Sequence, residues 1–474
     1  MSGDSLTLDC LAHVFSYLEA PDLLRAAQVN KTWNEAADTT FLWRNMCLNQ
    51  WSFCNISVTP GMKTWKKYYL HRSKIEKGML SGRPAVDYKC KAMREHEGRI
   101  HAMAYLSDNE HMYDTGKVKS VVCSASLDGT IRAWNVQEGS QIWSSPKQEA
   151  PIINMITLPK HNLAITTDSS GMIKVWHGDT GKELAAFSTS CHSNSMAAYT
   201  KDNKPFLTVG TTAGILYTLA VMDLSQISRT KVFEDYGINL SDCSPDGQWI
   251  VVFPTLTEPH SGLIPPKVLY THAATNPEDD ELMVSSPLPV SNQSLITCWL
   301  PGESARIVTM EPKGIDFQIK SFDIVIKKSK YKMNITAHQV AEFILPNPEK
   351  WIRERTMKGF GKQTILIASG MDLRVYTLTG AHLHTFNDHS PFLLTSIWVD
   401  PFHVVTAGDD VSLRVYSWKH ENKTSSLISR YQLLGGSSQW SRGFRLVACD
   451  DVSIVGVVIR TDGMDYLRAY SFNM

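Results

Sequence analysis

The chain has 474 residues, and its 47 lysines and arginines are matched by 47 aspartates and glutamates. A net charge of +0 supplies no global field to gather nucleic acid or an anionic membrane surface. Charged residues at 20% and hydrophobic ones at 43% describe a globular chain with material for a large core, and exclude a disordered one.

The nine cysteines are odd in number and scattered, with no CxxC pair, so neither a zinc site nor a disulfide framework is expected, and no metal or cofactor. The start, MSGDSLTLDCLAHVF, has no basic region ahead of an apolar run and is read as lacking a signal peptide. No run of about 18 apolar residues is present to span a bilayer. The expectation is a protein of the cytoplasm, the nucleus or both, with no nucleic-acid and no membrane partner.

Leu8, Leu11, Val14, Phe15 and Leu18 recur at spacings of three and four, the mark of one apolar helical face. Glu19-Ala20-Pro21-Asp22 breaks that pattern, and Pro21 suits the first turn of a second helix carrying Leu23, Leu24, Ala27 and Val29. Asn30 suits the cap of a third helix, with Trp33, Ala36 and Ala37, and Phe41, Leu42 and Trp43 follow. Three short helices make a small core, and domains of this size usually lean on a staple or a partner. Phe15, Tyr17, Trp33, Phe41, Trp43 and Trp51 add much apolar surface. The pattern alone leaves two readings open, a self-contained lead-in or a surface that a partner covers.

Residues 53–87 read as a partly helical connector. Trp65, Tyr68, Tyr69 and Leu70 lie beside Lys63, Lys66, Lys67, His71, Arg72, Lys74 and Lys77. With zero net charge, packed aromatics and a solvated basic face are expected there, not a nucleic-acid contact.

From residue 88 a short unit recurs. It appears as Ile131-Arg132-Ala133-Trp134, Ile173-Lys174-Val175-Trp176, Leu373-Arg374-Val375-Tyr376, Leu413-Arg414-Val415-Tyr416 and Leu467-Arg468-Ala469-Tyr470, with weaker copies ending at Leu219, Leu269 and Phe322. Successive anchors are 40 to 54 residues apart, which brackets the WD-repeat period of about 40–45 once some loops lengthen. The alternation predicts a half-buried strand after a tight turn such as Leu127-Asp128-Gly129-Thr130, Ser169-Ser170-Gly171-Met172 or Asp409-Asp410-Val411-Ser412. One such sheet cannot bury its own faces; stacking sheets in a ring can.

Eight anchors favour eight blades over seven. The last unit lacks an outer strand, and Tyr88–Arg94 is expected to supply it and close the ring. Ser170 and Ala213 stand where a turn aspartate belongs, so the middle of the repeat is degenerate. The Pro254–Pro266 stretch, the acidic run Glu278–Glu281 and the basic run Lys327, Lys328, Lys330 and Lys332 read as solvated connections.

His96, Ser124 or Ser126, Asp128 and Trp134 are similar to the hydrogen-bond tetrad inside WD-repeat blades, and His389, Thr406, Asp410 and Tyr416 repeat it. A hydrolase triad is the competing reading of His96, Ser124 and Asp128. A catalytic set would not recur with the period of the fold, so no catalytic residue is assigned.

The segment LTLDCLAHVFSYLEAPDLLRAAQVNKTWNEAADTTFLWRNM resembles the F-box, through Leu6, Leu11, Phe15, Tyr17, Leu18, Asp22, Leu23, Val29, Trp33, Ala37, Leu42 and Trp43. It departs from the family at Thr7, where Leu-Pro is usual, and at Asn30, where Cys is usual. With the repeats, nearly the whole chain resembles the F-box/WD-repeat substrate receptors of SCF ubiquitin ligases. That resemblance implies an α+β chain in two domains, an all-α F-box over 1–52 and an all-β WD-repeat propeller over 88–474. It also implies a non-catalytic receptor. Leu6, Leu8, Leu11, Phe15, Leu18, Leu23, Leu24 and Trp33 would dock the Skp adaptor, and through it a cullin-RING core, while the propeller holds a protein substrate. Relatives grip phosphorylated segments with arginines on the propeller face. The corresponding positions here are His101, Leu127, Asn154 and Asp409, so a phosphate grip is not expected.

Overall fold

The computed structural model describes residues 6–50, 65–107, 119–255, 264–275, 285–290, 296–303, 305–314, 316–329, 332–346, 355–421, 424–436 and 439–472. Trp51, Lys63, Lys330, the acidic run Glu278–Glu281 and most of the Pro254–Pro266 stretch lie outside them. Two compact units divide the chain, one essentially helical and one essentially of strands.

The helical unit contains α1 (Leu8–Phe15), α2 (Ala20–Ala26), α3 (Lys31–Ala37), α4 (Thr40–Gln50) and α5 (Trp65–Ser81). Both departures from the F-box pattern are helix caps. Thr7 is extended and its side chain accepts from the Cys10 N–H, while Asn30 accepts from the Trp33 N–H at 2.8 Å. Each satisfies an amide that the first helical turn cannot. Pro21 lies in the first turn of α2, as its missing N–H requires. Periodicity stops at three helices and does not reveal α4, which buries Leu42, Trp43 and Cys47. Trp43 donates its indole N–H to the Ala37 carbonyl at 2.7 Å, tying α4 to the end of α3. No described helix is long and apolar enough to cross a membrane.

The strand unit holds eight four-stranded antiparallel sheets among the described residues. Blade one is Ile100–Tyr105, Val121–Ser126, Ile131–Asn135 and Ser140–Ser144. Blade two is Ile152–Leu158, Leu163–Asp168, Met172–His177 and Glu183–Ser188, and blade three is Ser193–Lys201, Lys204–Thr211, Ile215–Ala220 and Gln226–Lys231. Blade four is Ile238–Cys243, Trp249–Pro254, Lys267–Tyr270 and Ser285–Pro287. Blade five is Ile296–Trp299, Arg306–Lys313, Asp316–Ser329 and Lys332–Leu345, so its outer hairpin is much longer than the rest. Blade six is Arg355–Phe360, Thr364–Ser369, Asp372–Thr377 and His382–Phe386, and blade seven is Leu394–Val399, His403–Gly408, Ser412–Glu421 and Thr424–Leu434. Blade eight combines Ser441–Cys449, Ser453–Arg460 and Tyr466–Ser471 with Lys89–Met93, which pairs antiparallel to Tyr466–Ser471. The ring of an eight-bladed propeller is thereby closed by its first and last strands, and Tyr466–Ser471 has a paired strand on each side.

All eight anchors fall on the third strand of a blade, and each is buried. Apolar clusters span neighbouring blades, such as Ala133, Trp143, Ala164 and Trp176 between one and two, or Trp249, Val251, Trp299 and Phe322 between four and five. This burial between sheets is what stacking provides: about 1.5–3 kcal/mol for each large apolar side chain removed from water. The turns differ in detail. Gly129 takes φ +82°, and an added Cβ would meet the Gln148 carbonyl oxygen at 2.8 Å. The matching place in blade seven is Val411 at φ 56°, a conformation costly for a β-branched residue. In blade two the turn is held by Asp168, which accepts the Ser170 and Met172 amides at 2.9 Å each.

Candidate partner-binding surfaces

On the helical unit the eight residues expected to dock an adaptor separate by burial. Leu11, Phe15 and Leu23 are buried with Ala20, Ala36, Ala37 and Trp43 in the unit's own core. That corrects the expectation for these three: their first duty is to hold the helices together, because short helices have no other apolar interior. Leu18, Leu24 and Trp33 are half-buried against this core, and the Trp33 ring meets Phe15 edge-on at 5.3 Å between centroids. Leu6 and Leu8 are exposed, as a docking role needs. The exposed set includes four residues outside the expected docking group: Val14, Tyr17, Val29 and Phe41. Tyr17 carries a readable signal, an aromatic off the 8–11–15–18 face.

In the strand unit, His96 Nδ1 lies 2.8 Å from Asp128 Oδ2, and its Nε2 lies 2.8 Å from Ser124 Oγ, which also accepts the Trp134 indole N–H at 2.8 Å. Blade seven repeats this, with His389 at 2.9 Å from Asp410 and 2.8 Å from Thr406, and with Tyr416 buried at the anchor position. Burial alone would push the carboxyls of Asp128 and Asp410 up. The hydrogen bonds from His96 and Thr130, and from His389 and Ser412, outweigh it and hold both below the usual carboxylate range. Ser124 is fully buried and spends its hydroxyl on the network, so it is not presented as a nucleophile.

The register places the expected substrate face. The start of each inner strand pairs with the end of the second strand: Ile100 with Ser126, Ile152 with Asp168, Leu394 with Gly408. His101, Asn154, Leu127 and Asp409 therefore lie at one end of the ring, the end that also carries the tetrad turns. His101 sits in the bulge at the start of the inner strand of blade one, and Asn154 follows the matching bulge of blade two and pairs with Thr167. Asn154 turns its side-chain carbonyl to the Met155 amide at 2.8 Å. Leu127 is exposed at its turn, and Asp409 is half-exposed.

None of the four is arginine, yet two guanidiniums lie at this end. Arg445, on the inner strand of blade eight, and Arg99, just ahead of blade one, both bear on His101; burial first and then the Arg445 charge hold its imidazole below the usual value. Asp465 accepts the Ile100 amide at 3.2 Å beside them. These guanidiniums come from positions that a blade-by-blade comparison does not align, because the junction of first and last blades exists only in the closed ring.

An F-box-like family model matches residues 8–49, and a WD domain, G-beta repeat model matches residues 88–135. Human F-box/WD repeat-containing protein 12 is 33% identical over 98% of both chains. Mouse F-box/WD repeat-containing protein 15 is 30% identical over 99% of both. Among solved structures the Dos1 propeller superposes with a TM-score of 0.56 at 11% identity, covering 81% of this chain and 95% of that one, a likeness of fold alone. No catalytic fold is indicated.

Proposed function

Since the chain belongs to the F-box/WD repeat-containing proteins, we propose that it is the substrate-recognition subunit of an SCF-type ubiquitin ligase, working in the cytoplasm or nucleus. The helical unit docks the Skp adaptor, which connects to a cullin and a RING protein. The propeller holds the protein to be modified. The contribution of this chain to catalysis is proximity, which turns ubiquitin transfer into an effectively intramolecular step.

The observation that carries this reading is the apolar surface the helical unit leaves open. Leu6, Leu8, Val14, Tyr17, Val29 and Phe41 are between 41% and 78% exposed. Scattered single apolar residues are ordinary on a protein surface, but six on so short a segment mark a surface that a partner covers. On the propeller, the end carrying Arg99, His101, Leu127, Asn154, Asp409 and Arg445 is the proposed substrate face. Its two guanidiniums and its apolar Leu127 suit a protein segment with an acidic and an apolar side chain.

The test is co-expression of the full chain with the Skp adaptor, beside the variants Tyr17→Asp and Val14→Asp. Capture by the native chain and its loss in both variants is the expected result. Equal capture by all three would remove this surface from the docking role. No capture by the native chain would leave an interaction scaffold built on a propeller.

A further inference from the structure

At the opposite end of the ring from the tetrads, blades seven and eight bring together three side chains of unlike chemistry. Asp400 lies in the turn between the first two strands of blade seven, His403 opens the second strand, and Cys449 ends the inner strand of blade eight. A carboxylate oxygen, a ring nitrogen and the thiol sulfur of these three all lie within 4.8 Å of one another. His403 Nδ1 is 3.7 Å from Asp400 Oδ1.

Two further facts separate this cluster from an ordinary polar junction. His403 is only 5% exposed, and its Nε2 has no hydrogen-bond partner among the described residues. A buried ring nitrogen left unpaired is costly, and one facing a carboxylate and a thiol has room for a ligand to pair it. The second fact is the setting of the Cys449 sulfur. It is buried, the negative charges of Asp400, Asp450 and Asp451 bear on it, and it donates to the Asp450 carbonyl at 3.2 Å.

We propose that Asp400, His403 and Cys449 form a binding site for a divalent transition-metal ion of the zinc class that clamps blades seven and eight. Thiolate and imidazole together select zinc-like ions over magnesium or calcium. The charges balance: one thiolate and one carboxylate neutralise the ion, with imidazole as a neutral ligand. Tetrahedral zinc bonds of about 2.0–2.3 Å place neighbouring donors roughly 3.3–3.7 Å apart, so donor atoms already within 4.8 Å of one another have to close by about 1.5 Å at most. On binding, the Cys449 S–H bond breaks, the sulfur–metal bond forms, and the proton leaves to solvent.

The carboxylate is held ready. Asp400 Oδ1 accepts the Phe402 and His403 amides at 2.8 and 2.7 Å, and Oδ2 accepts the Trp398 indole N–H at 3.2 Å. Hydrogen bonds behind a ligand fix its orientation in this way. The Asp400 side chain is partly exposed, which gives the ion an entry path, and a water completes the fourth position. Cys449 is distant in sequence from the other two, so a search for closely spaced ligands passes over the set.

The test uses the full chain after chelator treatment, titrated with Co²⁺ as a coloured stand-in and then with Zn²⁺. A thiolate-to-cobalt charge-transfer band saturating near about one equivalent, bleached by Zn²⁺, is the expected result for the native chain. The band is lost in Cys449→Ser, and affinity falls at least about tenfold in His403→Gln. Zn²⁺ also raises the melting temperature of the native chain and leaves that of Cys449→Ser unchanged. A native chain with no charge-transfer band overturns the proposal without appeal to any variant. A band that survives Cys449→Ser overturns it too, by assigning the metal to other cysteines such as the exposed Cys10 and Cys90.

Discussion

Blades one and five do the same architectural job by different physics. Blade one closes on a buried network in which His96, Ser124, Asp128 and Trp134 share hydrogen bonds of 2.8 Å. Blade five has Phe322 at the matching third-strand position, a side chain with neither donor nor acceptor, buried among Trp249, Val251, Trp299, Ile307 and Ile324. A network demands several residues at once, and losing one strands the others in a low-dielectric interior. An apolar contact demands only volume and shape. The repeat is therefore free to drift in the middle of the ring, where its tetrad residues are gone, as long as the sheets still bury one another.

The largest effect is expected where volume alone holds the blade. Phe322→Ala should cost about 3–5 kcal/mol, read as a lower urea midpoint, because the fully buried ring leaves a cavity between blades four and five. A cost under about 1 kcal/mol would mean that this blade is not held by its apolar contacts.

Asp128→Asn should cost about 1.5–3 kcal/mol near neutral pH, the range for a hydrogen bond to a charged group. This loss has a pH signature that Phe322→Ala lacks. Asp128 titrates lower in the folded chain than in the unfolded one, so its contribution is complete above the unfolded value of about 4 and declines as pH falls toward the folded value. Urea midpoints of the native chain and Asp128→Asn should therefore converge on acidification, whereas the gap between native and Phe322→Ala should not close in the same way. Parallel curves for both variants would erase the distinction between the two kinds of blade.

The smallest effect belongs outside both blades. Asn30→Ala removes the side chain that accepts the Trp33 amide at 2.8 Å, and should cost the helical unit about 1 kcal/mol, measured as a drop in its hydrogen-exchange protection with the propeller unchanged. No change would mean that solvent satisfies that amide equally well.

What can be read in advance follows the same division. The third strands are legible because their alternation is local, and so are the weak copies at Leu219, Leu269 and Phe322, which keep the spacing and the burial after the tetrad has gone. The closing strand is legible from a missing partner: Tyr466–Ser471 needs one, and Lys89–Met93 supplies it. Thr7 and Asn30 show as departures from a family pattern, and the folded helices reveal both as caps. What stays hidden depends on closure of the ring or on packing within the helical unit. Arg445 reaches His101 across the first and last blades, and Cys449 reaches Asp400 and His403 across the last two. The family resemblance puts Leu11, Phe15 and Leu23 on the docking surface, while the folded helices bury them in the unit's own core.

The measurement that bears most directly on the central claim is co-purification of the full chain with the Skp adaptor, native against Tyr17→Asp. Tyr17 is 78% exposed, so the substitution leaves the core of the helical unit intact. The account predicts a complex at equal stoichiometry for the native chain and loss of that complex in the variant, with both chains equally folded. A native chain that stays apart from the adaptor, or a variant that binds it as well as the native chain, would contradict the account.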